Sequence, residues 1–273
     1  MRNFDFIGLC LLNNKLKEKC MSIIPQSLNS KVALITGGSR GIGYGIAEQF
    51  ILAGATVIIT GRNGSTLKLA CQQLGKNAHY RINDMNEPTQ RQQLVDELEN
   101  AFGHIDILVN NAGAHCKKPA LETTEAEFSA VLETNLIGVF SLSKLCLQYM
   151  IPRGVGSIIN ISSMSALFGL PQVAAYSSSK SGLLGLTRTL ASEYSGTGVR
   201  INAIAPGFIE SKMFLDIMAE DPQREERILQ RTPMKRFGSP TDIGHAATFL
   251  ASEAASFITG ICLPVDGGNS IGF

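Results

Sequence analysis

Tyr176 and Lys180 stand four residues apart in the stretch YSSSK, a spacing that places a phenol and an ammonium on one face of a helix. A phenol with its ordinary pKa near ~10 carries protons poorly at neutral pH, and a fixed cation beside it favours the phenolate and draws that value towards the working range. Of the five tyrosines, only Tyr176 has a lysine four residues on. Thirteen residues before it, in NISSMS, Ser163 can hydrogen-bond a substrate oxygen, with Ser162 competing for the same role. Phenol, cation and hydroxyl together are the equipment for passing a proton to a carbonyl oxygen.

A second chemical signal is ITGGSRGIG, Ile35 to Gly43, with four glycines in nine residues between an apolar run and a helical pattern. A helix that opens on such a turn offers free N–H groups and a favourable dipole to an anion, so a phosphate is the expected guest. Gly37, Gly41 and Gly43 follow the spacing GxxxGxG, and no lysine-serine pair of a triphosphatase follows them. The next strand ends in IITGRN, where a fold preferring NAD places an acid against the adenosine ribose. From Gln49 to Asn83 there is no Asp or Glu, while Arg62 follows the strand and Arg40 lies within the turn. Two guanidiniums there would clamp a 2'-phosphate with charge-assisted bonds, which predicts NADP(H) over NAD(H). Asp84, after the third strand, is the expected adenine contact. No Cys/His spacing suits a metal.

These residues need a scaffold, and the chain supplies a regular one. Short Val/Ile-rich runs (KVALIT, ATVIIT, AHYRI, IDILVN, GSIINIS, VRINAI, ICLPV) alternate with helical patterns near 41–53, 64–74, 87–102, 125–149, 172–194 and 240–252. Strands apolar on both faces and separated by helices predict an α/β fold: one doubly wound Rossmann domain of about seven parallel strands over residues 30–273. Residues 207–238, with Pro222 and Pro233, break the rhythm after the sixth strand and read as a substrate lid. Residues 1–29 read as an N-terminal extension, because FIGLCLL followed by NNKLKEK is too short and too charged behind for a membrane span. A net charge of +1 without a Lys/Arg block argues against nucleic-acid or membrane partners and for a small-molecule substrate. Six scattered cysteines fit a reducing, cytoplasmic setting.

TGGSRGIG, NNAG at 110–113, Tyr176-x-x-x-Lys180 and the Pro206-Gly207 pair, in this order, resemble the short-chain dehydrogenase/reductase family over nearly all of residues 31–270. The resemblance implies that Tyr176 is the general acid, Ser163 orients the carbonyl, Lys180 binds the nicotinamide ribose and lowers the tyrosine pKa, and Asn135 of ETNLIG completes a proton relay. It implies that Gly37, Ser39, Arg40, Gly41, Ile42 and Gly43, with Asn110, Ala112 and Gly113, line the dinucleotide. Pro206, Gly207, Ile209 and Ser211 would hold the carboxamide end of the nicotinamide. Within the family the chain is most similar to 3-oxoacyl-[acyl-carrier-protein] reductases. Thr197 stands where those enzymes carry a basic docking residue, which leaves the acyl carrier protein open as a partner.

The implied activity is NADPH-dependent hydride transfer between nicotinamide and a ketone or secondary alcohol. Two alternatives are a non-catalytic dinucleotide sensor or scaffold, and a related isomerase or dehydratase. Ala114, His115, Phe168, Leu170, Phe208 and Phe214 are pocket candidates; His115 could contact a polar substrate, though an idle surface histidine is the favoured reading. Leu183, Leu184, Leu186 and Leu190 spread over more than one helical stripe, which predicts a homotetramer joined through the 125–149 and 172–194 helices. The C-terminal PVDGGNSIGF would form a second two-fold contact.

Overall fold

The computed structural model describes residues 26–210, 214 and 222–272. Seven parallel strands, β1 (Val32–Thr36), β2 (Thr56–Gly61), β3 (Ala78–Ile82), β4 (Ile107–Asn110), β5 (Gly156–Ile161), β6 (Val199–Pro206) and β7 (Cys262–Val265), pair in the order β3-β2-β1-β4-β5-β6-β7. The two-residue side-chain period of a strand divides their apolar residues between two cores. In β1, Ala33 and Ile35 face the cluster that holds Ile46, Phe50, Ile243 and Leu250. Val32 and Leu34 face the one that holds Leu98, Leu142, Met150 and Leu190. The first core lies under α1 (Gly41–Leu52) and the Pro240–Ala251 helix, the second under the Pro88–Phe102, Gly138–Arg153 and Ala174–Tyr194 helices.

In chain order the remaining helices are α2 (Gly64–Leu74), α3 (Pro88–Phe102), α4 (Glu125–Leu132), α5 (Gly138–Arg153), α6 (Ala174–Tyr194), α7 (Pro222–Arg231) and α8 (Pro240–Ala251). The chain leaves β1 towards β2 on one side and returns to β4 on the other, so the strands' carboxyl ends open a crevice there. The helix expected at 125–149 runs on to Arg153 and contains a π-helical turn, Glu133–Ile137. By length and mean hydropathy, 1.4, this Glu125–Arg153 run is apolar enough to cross a membrane. Its Val139, Leu142, Cys146 and Met150 are instead buried against the sheet.

Three expectations need correction or limits. Leu28, assigned to the extension, is 1% exposed and donates its N–H to the Ala53 carbonyl (2.8 Å), so packing begins ahead of residue 30. The rest of the extension, residues 1–25, lies outside the described residues. Leu183, Leu184 and Leu190 are buried within this one chain and Leu186 packs against the same core, so these leucines do not form an outer apolar face. The surface of the long helices exposes Ile137 and Phe140 instead. In the 207–238 insertion, Ile228 and Phe237 form a separate small core with Phe208, Phe214 and Leu229. Its base is pinned by Glu210 N–H to Gly238 O (2.7 Å) and Gly238 N–H to Phe208 O (3.0 Å).

Candidate active site

The glycine turn between β1 and α1 needs its glycines for two different reasons. Gly37 (φ 66°) and Gly41 (φ 56°) adopt left-handed backbone that a side chain disfavours. Gly43 permits close approach: a Cβ there would lie 2.5 Å from both the Gly37 carbonyl oxygen and Asn111 Nδ2. Arg40 begins α1 without a side-chain cap, so the first-turn N–H groups, including that of Ile42, have no capping side chain and are available to an anion. Arg40 and Arg62 are both exposed and unpaired with any described residue. Asp84 lies beyond β3, where its carboxylate accepts the Asn86 N–H (3.0 Å). Uncapped N–H groups, a cradle that a Cβ would fill and two unpaired guanidiniums fit a dinucleotide phosphate.

The NNAG segment splits its work between two asparagines. Asn111 Nδ2 donates to the carbonyls of Thr36 (2.9 Å) and Gly37 (3.1 Å), while Thr36 Oγ1 accepts the N–H groups of Asn111 and Ala112 (both 3.0 Å). Asn111 thereby ties β4 to the glycine turn. Asn110, the one named from the sequence, turns inward to Ser143 Oγ (3.0 Å) and Asn160 Oδ1 (2.8 Å) and is 1% exposed. The Asn110 amide thus braces the core, which leaves its backbone as the part that could meet a dinucleotide. Gly113 does face the site, because a Cβ there would sit 3.3 Å from Asn135 Oδ1 and 3.8 Å from Lys180 Nζ.

A cavity of about 260 Å³ brings the chemistry together, lined by Ser163, Tyr176, Lys180 and His115 together with Ile42, Pro206 and Gly207. Lys180 is 4% exposed, with Nζ donating to the Ile161 carbonyl (2.6 Å) and lying 5.6 Å from the Tyr176 ring centroid. Burial without a counter-ion lowers its pKa to about 8. The Tyr176 pKa moves up, because burial outweighs the opposing pull of the Ser163 hydroxyl. The expectation that Lys180 lowers it is not met: the serine, not the lysine, supplies the lowering influence. Asn135, fully buried in the π-helical turn, accepts the Ala114 N–H (2.7 Å) and donates to Ala114 O (2.9 Å) and Ser179 Oγ (3.0 Å). Its amide therefore locks the NNAG loop to α6 beside Lys180.

The family model described as Enoyl-(Acyl carrier protein) reductase matches residues 37–270. The chain belongs to the short-chain dehydrogenase/reductase family. It is 38% identical over 246 residues to the 3-oxoacyl-[acyl-carrier-protein] reductase FabG of Thermotoga maritima, covering 88% of this chain and 98% of that protein. It is 40% identical over 247 residues to a galactitol 2-dehydrogenase (L-tagatose-forming) of Cereibacter sphaeroides, covering 89% of this chain and 96% of that protein. Among solved structures, the gluconate 5-dehydrogenase of Burkholderia cenocepacia in complex with NADP and tartrate superposes with a TM-score of 0.86 at 34% identity, covering 91% and 98% of the two chains. This short-chain dehydrogenase/reductase is accordingly an NAD(P)-dependent oxidoreductase.

Other named positions in this short-chain dehydrogenase/reductase fall in different places. Ser162 and Ser163 both line the cavity, but Ser162 is buried and spends its hydroxyl proton on the Lys180 carbonyl (3.0 Å), which leaves Ser163 as the serine able to donate to a substrate. His115 is exposed, as expected, and its ring also lies 4.7 Å from that of Tyr176. Phe168 lies 4.2 Å beneath the Arg231 guanidinium, and Phe208 and Phe214 belong to the insertion's own core. Ile209 bridges to Gly238 at the base of that insertion. Ser39 lies in the glycine turn, and Ser211 lies outside the described residues. Sequence reasoning missed Asn111, whose only signal was its place within NNAG.

Proposed function

We propose that this enzyme reduces a ketone to a secondary alcohol, or runs the reverse oxidation, with NADP(H) preferred. The observation that carries the reading is the shared cavity of Ser163, Tyr176 and Lys180 beside the glycine turn. Bound NADPH supplies the hydride. Ser163 hydrogen-bonds the carbonyl oxygen, and Tyr176, kept protonated by burial, gives that oxygen its phenolic proton. Lys180 holds positive charge beside the phenol as negative charge develops there, and also binds the nicotinamide ribose. Asn135 positions the Ala114 backbone and Ser179 around the relay. Arg40 and Arg62 bind the 2'-phosphate, and the unpaired state of both is what supports the NADP(H) preference.

A sensor or scaffold would have no use for this complete proton-transfer set, and an isomerase or dehydratase would not consume NADPH in proportion to product. The insertion at 207–238 acts as the substrate lid. The enzyme works in the cytoplasm as a homotetramer, supported now by exposed Ile137 and Phe140 on the long helices and Phe257 and Ile271 near the C-terminus. Docking of acyl carrier protein lacks support, since Thr197 only closes a turn onto the Tyr194 carbonyl (2.6 Å). The test is NADPH oxidation against ketones, diketones and oxoacyl thioesters, with Tyr176→Phe alongside. The variant is expected to keep cofactor binding and to lose about a hundredfold or more in kcat; a near wild-type rate would remove Tyr176 from the chemistry.

A further inference from the structure

His115 has no assigned part in the reaction, yet its ring is tilted at 44° against the Tyr176 ring, 4.7 Å between centroids, and it lines the catalytic cavity. Among the described residues nothing takes a hydrogen bond from, or gives one to, either imidazole nitrogen. The other polar side chains open to the cavity are already engaged. Ser163 and Tyr176 converge on the reacting oxygen, Lys180 is anchored to Ile161 O, Ser162 is spent on Lys180 O, and Asn111 is held by the glycine turn. Ile42, Ile161, Pro206 and Gly207 also line the cavity and bring no polar side chain to it. Among the described residues, His115 is therefore the cavity side chain left without a polar partner.

Resting on the carbonyl-reducing reading above, we infer that His115 is a specificity-determining residue whose imidazole hydrogen-bonds a hydroxyl close to the reacting carbonyl, so that the substrate is a hydroxylated ketone such as a ketose. An imidazole held neutral offers one donor and one acceptor, the pairing that a hydroxyl can satisfy and an alkyl chain cannot. Partial burial, reinforced by Lys117, lowers the His115 pKa and so favours that neutral form. Stacking on Tyr176 fixes the imidazole alongside the ring whose hydroxyl meets the carbonyl oxygen, so it reaches substituents one or two carbons away. His115 keeps one side exposed to water, so an analogue lacking the hydroxyl forfeits a direct hydrogen bond without stranding a buried group, and the discrimination is of the order of one hydrogen bond.

The test compares hydroxyacetone with butanone, two ketones of matched shape, as substrates for the full chain with NADPH, in wild type, His115→Phe and His115→Gln. Wild type is expected to favour hydroxyacetone in kcat/KM. Phe, which keeps a ring on Tyr176 but no nitrogen, should lower the hydroxyacetone-to-butanone ratio about tenfold, chiefly through KM. Gln, with a donor and an acceptor, should restore most of it. Equal losses on both ketones, or a wild type that prefers butanone, would overturn the role of His115 while leaving carbonyl reduction standing. No NADPH oxidation with any ketone, diketone or oxoacyl thioester would instead overturn the carbonyl-reducing reading, and this inference with it.

Discussion

Lys180→Met should make the cofactor-free protein more stable while removing its activity. Lys180 is a cation at 4% exposure with a backbone carbonyl as its hydrogen-bond partner and no carboxylate. Burial takes its pKa from 10.5 to about 8, which at ~1.36 kcal/mol per pH unit is a cost to folding of about 3 kcal/mol at pH 7. Losing the bond to Ile161 O returns about 1 kcal/mol, and the unbranched Met side chain can follow the path of the lysine stem. A net gain of about 2 kcal/mol corresponds to a rise in Tm of roughly 4 to 8 °C for a chain of this size.

The pH dependence gives the sharper check. A lysine whose pKa is lower in the folded protein binds its proton more tightly when unfolded, so its cost is fully present below about pH 8 and fades as pH rises towards 10.5. Thermal melts of both proteins from pH 6 to 11, subtracted pairwise, cancel every other titrating group (pH range roughly that spanned by the two pKa values). The variant's advantage should be constant below pH 8 and close by about 10.5. A variant that melts below wild type at neutral pH, or an advantage that does not narrow with pH, would refute the assignment of an unneutralised buried cation.

Arg62→Asp should shift preference from NADPH towards NADH, with NADPH affinity falling roughly tenfold or more for the loss of ~1.5–3 kcal/mol in a charge-assisted contact; steady-state kinetics with both cofactors would show it, and an unchanged ratio would exclude Arg62 from phosphate binding. Phe140→Glu should weaken the proposed tetramer across the α5 face, since it replaces an exposed apolar ring with a charge that contact would have to desolvate; light scattering at micromolar concentration reads the mass, and a wild type that is itself a fully active monomer would end the tetramer proposal.

The doubly wound sheet was legible because its cause is local. Strands such as VALIT are apolar on both faces, at every position but the closing threonine, which only a sheet covered on both sides tolerates, and the intervening helical patterns supply the covers. The four-residue spacing of Tyr176 and Lys180 likewise sets them on one helical face whatever surrounds them. What the sequence could not settle is where neighbouring residues point and what they meet. Ser162 and Ser163 are chemically identical and both line the cavity, but beyond the end of β5 the first spends its proton on the Lys180 carbonyl and the second does not. Asn110 and Asn111 divide in the same way between the core and the glycine turn. The leucines of α6 could have covered either a partner or their own sheet, and their burial depends on helices and strands distant in the chain. The Tyr176 pKa is the clearest case: spacing brings a cation near, but the balance of burial against hydrogen bonding decides its direction. Periodicity is a property of a few consecutive residues and survives in one dimension, whereas desolvation and contact are sums over residues that only folding brings together.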